Sequence, residues 1–123
     1  MSLTDFVNGL FERLFFGGDK AAGIAAFENE IAADAVFDIN GKTASRAEIF
    51  TIIENFHASG KVKLNSIEDL AVVPSGSGGV VAQVSRFTVT AGGGAKEQTS
   101  VRIVKIEERG GKKVMTSLVE VQA

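Results

Sequence analysis

The sequence predicts an α+β domain in which three helices precede a long, mostly antiparallel β-sheet. Up to about residue 58, apolar residues recur at the spacing of amphipathic helices, with one short β-like segment among them. From residue 61 onward, β-branched residues dominate four runs that clusters of glycine separate. Helices that come before the strands, rather than alternating with them, are typical of an α+β fold.

The first two helices are predicted from their apolar stripes and from the residues between them. Gly17 and Gly18 end the first helix, because glycine readily adopts the positive φ angle found at a helix C-cap. Asp19 then suits the N-cap of the second helix, where its carboxylate accepts orphan amide hydrogens. The first stripe consists of Phe6, Val7, Leu10, Phe11, Leu14 and Phe15, and the second of Ala22, Ile24, Phe27 and Ile31.

A short strand and a third helix complete the N-terminal half. The β-like run covers residues 35–39 and is followed by Asn40-Gly41, a turn dipeptide. The third helix spans residues 45–58, and Ser59-Gly60 end it. Its start has the capping-box pattern, with serine at position 45 and glutamate three residues later.

Four strands in a meander form the C-terminal half, and all of them exceed the usual strand length. Long strands in a small domain curl, so the sheet is expected to form a cone with one open end. In the third run, Val101 and Ile103 share one face while Val104 and Ile106 share the other, which predicts a bulge or burial on both faces. The four runs are 61–73, 79–91, 96–108 and 112–122.

The composition limits the possible functions. The chain has 123 residues, which predicts a single domain over 1–123. A net charge of −2 gives no electrostatic basis for binding nucleic acid or an anionic membrane. With no cysteine and one histidine, thiolate sites, cysteine nucleophiles and multi-histidine metal sites are excluded, and we expect no metal and no cofactor. No secretory signal and no membrane-spanning run is recognised, so a cytoplasmic protein is expected.

Three short motifs resemble the NTF2-like superfamily, which includes SnoaL-like proteins and ketosteroid isomerases. Gly18-Asp19 with the segment 24–27 is similar to the start of the family's second helix. The segment 33–37 is similar to its following strand, and Asn40-Gly41 before helix 45–58 is similar to its glycine turn and third helix. The resemblance implies a conical α+β fold, which is shared by enzymes and binding proteins.

The resemblance offers little support for the family's known chemistries. A ketosteroid isomerase needs an aspartate base and two oxyanion donors. Asp38 lies in the segment of the base, but Phe11 stands where the donor tyrosine would be, and the late strand around Ser100 to Ile103 has no acid. The chain has no tyrosine for dehydratase-like chemistry, and an epoxide-hydrolase-like site lacks an evident second inward aspartate.

Asp38 and His57 are the candidate catalytic residues. If Asp38 points into the cone, its apolar surroundings would favour a role as a base; the alternative is a solvent-facing carboxylate beside the Asn40-Gly41 turn. His57 either reaches the cone mouth as an acid–base group or interacts with the C-terminus of the third helix.

The candidate ligand-binding residues are five phenylalanines and two arginines. The phenylalanines either line an apolar pocket or fill the core. Mid-strand arginines either hold an acidic ligand or lie on the outer face beside acidic residues. These residues are Phe11, Phe15, Phe37, Phe50, Phe56, Arg86 and Arg102.

The leading interpretation is a protein that binds a small apolar or weakly acidic molecule in the cone without catalysis. The alternatives are a dimerisation or interaction module whose cone is filled by side chains, and a lyase, isomerase or hydrolase that uses Asp38. A homodimer through the sheet face is also expected from alternating polar residues, which are Gln83, Ser85, Gln98, Ser100, Thr116 and Ser117.

Overall fold

The computed structural model describes residues 2–58 and 61–123. Three α-helices and a short π-helix pack on a curved six-stranded mixed sheet, which confirms the α+β prediction. The helices are α1 (Leu3–Phe11), α2 (Lys20–Glu30) and α3 (Arg46–Ala58), with the π-helix over Glu12–Phe16. The strands are β1 (Ile31–Ile39), β2 (Lys42–Ala44), β3 (Lys61–Ser75), β4 (Gly78–Ala91), β5 (Gly94–Arg109) and β6 (Lys112–Gln122).

The sheet order is β2-β1-β6-β5-β4-β3. Every neighbouring pair is antiparallel except β1 and β6, which run parallel. Register shifts interrupt the β3–β4 pairing twice and the β5–β6 and β1–β6 pairings once each. Since a bulge bends the strand that carries it, these four positions contribute to the curvature.

The predicted helix boundaries hold at the capping residues. Asp19 caps α2, accepting from the Ala22 amide at 3.2 Å. At α3 the Ser45 and Glu48 side chains exchange hydrogen bonds with each other's amides at 3.0 and 3.1 Å, as in a capping box. The predicted end at Ser59-Gly60 lies outside the described residues.

Two local features differ from the prediction. The first helix does not continue as an α-helix to Gly17, because its last five residues form the π-helix. The first strand begins at Ile31, which the helical pattern had assigned to α2, and it forms a hairpin with β2. Asn40 and Gly41 have φ values of 52° and 81°, the positive φ pair of a type I′ turn.

Strand β5 itself has neither the predicted bulge nor burial on both faces, because the register shift beside Lys105 places its extra residue, Thr116, in β6. Val104 and Ile106 are buried beneath the helices, whereas Val101 and Ile103 are exposed on the opposite face. The strand therefore alternates regularly, and its inner face continues through Arg102. The core between sheet and helices includes Leu10, Phe37, Ile53, Val81, Val104 and Met115.

Arg46 ties the end of α2 to β1 and α3. Its guanidinium donates to the carbonyl oxygens of Phe27, Ile31 and Ala32 at 3.1, 3.2 and 2.9 Å. The guanidinium carbon also lies 4.3 Å from the centre of the Phe27 ring. The contacts with Phe27 and Ile31 satisfy carbonyl groups that the end of α2 leaves without an intrahelical donor, and the contact with Ala32 holds the start of β1.

Among the described residues, no helix is both long and apolar enough to cross a membrane.

Candidate functional site

The inner face of the sheet carries a buried polar row beneath the helices. Gln83 and Ser85 come from β4, Ser100 and Arg102 from β5, and Glu120 from β6. The register pairs Arg102 with both Gln83 and Glu120, so these three residues are direct neighbours across the strands. Gln83, Ser85 and Ser100, which the alternating polar pattern predicts on a dimer face, lie in the interior instead.

Arg102 is the central group of this row, with only 2% of its surface exposed. Its Nε donates to Gln83 Oε1 at 3.2 Å, and its Nη1 donates to Ser85 Oγ at 3.3 Å. The guanidinium carbon lies 3.9 Å from the centre of the Phe11 ring, a cation–π contact. The Nη2 nitrogen is buried and has no hydrogen-bond partner within the described chain, and the same holds for Ser100 Oγ.

The charge of Arg102 lies in a buried environment that disfavours the cationic form. Burial lowers the pKa of Arg102 to about 10, and the nearby Glu120 carboxylate opposes that shift. The side chain is therefore still cationic at neutral pH. Glu120 is 7% exposed, yet none of the ion pairs within 4.0 Å in the described part of the chain joins it to Arg102.

A second group of hydrogen bonds fixes the position of Arg102. The Gln83 amide nitrogen donates to Asn8 Oδ1 at 2.6 Å and to Asp69 Oδ1 at 2.9 Å. Thr4 Oγ1 in turn donates to Asp69 Oδ2 at 3.0 Å. Because both amide hydrogens of Gln83 are held, its carbonyl oxygen is oriented towards Arg102.

Arg102, Ser100 and Glu120 line one side of a cavity of about 40 Å³. A cavity needs roughly 10–15 Å³ of volume to hold one water molecule, so this one has room for about three non-hydrogen atoms. Gln122 adds a further polar side chain, and its Nε2 donates to Glu120 Oε2. The other lining residues are apolar: Phe15, Phe16, Ile39, Ile49, Ile52, Phe56, Phe87 and Leu118.

A larger open groove of about 500 Å³ lies on the other side of the phenylalanine wall. Phe15, Phe16 and Phe56 line both the cavity and the groove. The rings of Phe15 and Phe56 are 5.0 Å apart in an edge-to-face contact, and Phe16 packs on Phe87 at 5.5 Å. The π-helix positions Phe15 and Phe16 between the two spaces, because its wider turn displaces residues from the stripe of α1.

Several predicted site residues lie away from the cavity. Asp38 and Arg86 alternate with the buried Phe37 and Phe87, so both point to the outer face of the sheet. Asp38 is therefore not positioned as a base in the cone. Arg86 is paired with Thr99 rather than with Arg102, so the two arginines do not form one anion site.

The remaining predicted residues divide between the pocket and the core. Phe15 and Phe56 line the cavity, and Phe11 supports Arg102 from behind. Phe37 is fully buried, and Phe50 packs on Phe27 with ring centres 5.2 Å apart. His57 lines the outer groove, where its Nε2 lies 3.0 Å from the Leu14 carbonyl oxygen.

Glu120 as a lining residue and the inward direction of Ser100 are not predicted by the sequence pattern. A parity argument was available, because Ser100, Arg102, Val104 and Ile106 share one face of β5. The alternation of β6 places Glu120 with Leu118 in the same way. Polar side chains at alternate positions are typical of an exposed face, so the pattern alone predicts that these residues point outward.

No protein-family model and no curated protein sequence matches the chain. Solved structures match its fold over nearly the whole length. An NTF2-like protein from Cytophaga hutchinsonii superimposes with a TM-score of 0.67 at 13% identity, covering 100% of both chains. The chain has the NTF2-like fold. This confirms the fold that the motifs around Asp19 and Asn40 imply.

Two further structures with this fold have different descriptions. A putative calcium/calmodulin-dependent protein kinase II association domain from Xanthomonas campestris is 19% identical, with a TM-score of 0.68, covering 98% of this chain and 84% of that one. A ketosteroid isomerase-like protein from Erwinia carotovora atroseptica is 17% identical, with a TM-score of 0.64, covering 86% and 82%. At these identities the NTF2-like fold is shared, and the function is decided by the site.

Proposed function

We propose that this NTF2-like protein binds a small apolar or weakly acidic molecule in its cone, without catalysis. The observation that carries the proposal is Arg102, a buried cation that lines an apolar cavity with one nitrogen unpartnered. A buried donor without an acceptor costs roughly 1–3 kcal/mol, and more when the group is charged. A ligand that accepts from Nη2 recovers that free energy on binding.

The size of the cavity limits how such a molecule is bound. About 40 Å³ holds only a polar head group, whereas drug-sized ligands occupy roughly 300 Å³ or more. We expect the apolar body to extend past Phe15, Phe16 and Phe56, which the cavity shares with the groove of about 500 Å³.

The enzyme alternative receives less support from the geometry. Its proposed base, Asp38, lies on the outer face between Thr43 and Val119 in the strand register. His57 contacts a backbone carbonyl in the groove and is not part of the cavity lining. Binding is therefore the function that the positions of these side chains favour.

Replacing Arg102 with methionine is expected to weaken binding of phenylalkyl probes about tenfold or more, because charge-assisted hydrogen bonds contribute roughly 1.5–3 kcal/mol. The probes are 3-phenylpropanol, 3-phenylpropanamide and 3-phenylpropanoate, titrated against ¹⁵N-labelled protein by NMR. Arg86→Met is the matched control, since Arg86 lies on the outer face of the neighbouring strand, and it should leave the affinity unchanged. If no probe shifts the amides of β5 and β6 at millimolar concentration, or Arg102→Met binds as wild type does, the proposal is wrong.

We also propose that the outer face of the sheet binds a second copy of this chain. Its centre, the outer apolar face, consists of four exposed aliphatic residues on two adjacent strands: Val101, Ile103, Val119 and Val121. They are cross-strand partners, Val101 with Val121 and Ile103 with Val119, so they form one continuous patch. Contiguous exposed apolar surface of this kind marks an interaction site more often than a solvated surface.

The charges around the outer apolar face favour a second copy as the partner. Asp38 borders it beyond Val119 and Glu68 beyond Val84, so the two acids lie at the sides. Arg86 and Lys105 lie on β4 and β5, towards the two ends along the strands, and Lys105 shares its end with Glu107, whose Oε2 lies 3.9 Å from the Lys105 Nζ. In a twofold, face-to-face dimer with strands crossing near 90°, each acid comes to lie over a base of the partner. Aligned strands would instead place bases over bases.

Light scattering tests this second proposal. At micromolar concentration the wild-type chain should have about twice the mass of one chain, and Val121→Lys should have the single mass, because a buried lysine without a partner opposes association. Val73→Lys is the matched control, since Val73 is 60% exposed and Val121 55%, but Val73 lies on the distal edge strand β3. A wild-type protein of single mass, or equal effects of the two substitutions, would contradict the homodimer.

A further inference from the structure

Arg102 and Glu120 are oppositely charged neighbours that line the cavity without forming an ion pair. They are direct cross-strand partners on the inner face, and both line the cavity. Neither is more than 7% exposed, yet the ion pairs within 4.0 Å in the described ranges do not include this pair. A buried cation and a buried anion that lie side by side without direct contact present a donor and an acceptor next to each other on the sheet side of the cavity.

From this arrangement we infer that the head group bound in the cavity is neutral and carries an acceptor and a donor side by side, as a primary carboxamide does. This inference rests on the proposed ligand binding in the cone. The carbonyl oxygen of such a head accepts from Arg102 Nη2, and its N–H donates to the Glu120 carboxylate. Ser100 Oγ, which is also buried without a partner among the described residues, supplies a further hydrogen bond.

The net charge of the cavity argues against a carboxylate head. Arg102 and Glu120 sum to zero, so an incoming carboxylate adds an uncompensated negative charge to a buried space. It gains the attraction of Arg102 but lies close to the like charge of Glu120, and each buried like-charge contact disfavours the ionised form. A neutral head group with a donor and an acceptor forms a hydrogen bond with each of the two side chains, Arg102 and Glu120, without adding charge.

The size of the cavity agrees with this chemistry. Room for about three non-hydrogen atoms matches the carbon, oxygen and nitrogen of one carboxamide group. The polar lining side chains come from β5 and β6, and Phe15, Phe16 and Phe56 are shared by the cavity and the groove. An apolar chain attached to the head therefore leaves the cavity past Phe15 and Phe56.

A matched pair of probes tests the inference. In NMR titrations at pH 7, 3-phenylpropanamide should bind wild-type protein at least about tenfold more tightly than 3-phenylpropanoate, which has the same shape and a negative charge. Glu120→Gln removes the negative charge and leaves an amide of similar shape. The variant should therefore reduce or reverse the preference for 3-phenylpropanamide over 3-phenylpropanoate. Glu108→Gln, an exposed glutamate near the β5–β6 turn, is the matched control and should leave the preference unchanged.

The possible outcomes separate this inference from the proposal on which it rests. If the carboxylate binds wild type as tightly as the amide or more tightly, the neutral head is wrong while ligand binding stands. If Glu120→Gln keeps its thermal unfolding midpoint but does not alter the preference, the role of Glu120 is wrong. Should neither probe bind wild type, the proposed function fails together with the inference. The wild-type comparison decides the head group even if the variant does not fold.

Discussion

Phe11→Ala is expected to lower the free energy of unfolding by about 4 kcal/mol, within the range for phenylalanine truncation in a core. Phe11 is 1% exposed, and its ring stacks on Phe15 at a centre distance of 5.9 Å. The truncation also removes the aromatic face beneath the Arg102 guanidinium, a contact worth up to roughly 2 kcal/mol when it is desolvated. Urea unfolding followed by far-UV circular dichroism measures the change, since the chain has no tryptophan or tyrosine.

Two companion variants distinguish the effect of lost side-chain volume from the effect of the lost cation–π contact with Arg102. Phe11→Leu keeps most of the volume but loses the aromatic face, so it should cost about 1–2 kcal/mol and still weaken binding of the phenylalkyl probes. Phe50→Ala removes the same atoms from a half-buried ring on α3 and should cost roughly 1–2 kcal/mol. A Phe11→Ala protein no less stable than Phe50→Ala would show that the Arg102 platform contributes little.

Local signals in the sequence were sufficient to predict most of the fold. The capping residues Asp19 and Ser45 and the glycine turns between long β-branched runs act through nearby backbone, so their meaning does not depend on distant contacts. The π-helix over residues 12–16 could not be predicted in this way. Its sequence continues an ordinary apolar stripe, and the irregular turn is found only once the helix packs beside α2 and α3.

The site was predicted less well because part of the sheet reverses the usual polarity. Over residues 100–103 of β5 and 119–121 of β6 the interior holds Ser100, Arg102 and Glu120, while valine and isoleucine lie outside; Val104 and Ile106, further along β5, are buried as usual. Assigning apolar residues to the core therefore inverts these two segments, since alternation alone does not say which face is covered. The same inversion links the two proposals: polar groups turned inward create a binding cavity, and apolar groups turned outward create an association surface.

Gly23→Ala is expected to destabilise the protein by about 2–3 kcal/mol, although alanine is the better helix former. Gly23 is buried in α2, and a Cβ there would lie 2.7 Å from His57 Nε2 and 2.8 Å from the Arg13 carbonyl oxygen. The histidine ring has some freedom to move, but the carbonyl is backbone at the start of the π-helix, so the helices must separate. Overpacking of this kind costs roughly 1–3 kcal/mol, and displacing His57 also breaks its contact with the Leu14 carbonyl.

Gly9→Ala provides the opposite result for the same chemical change. Gly9 is also helical, in α1, but the nearest atom to a Cβ there is Arg13 Nη2 at 3.9 Å, an ordinary contact. This variant should therefore gain about 0.5–1 kcal/mol from helix propensity alone.

His57→Ala in the Gly23→Ala background should recover only part of the loss of stability, because the contact with the Arg13 carbonyl oxygen remains. Equal and stabilising effects at both glycines, measured by urea unfolding, would mean that α2 does not pack against the π-helix as closely as the structure places it.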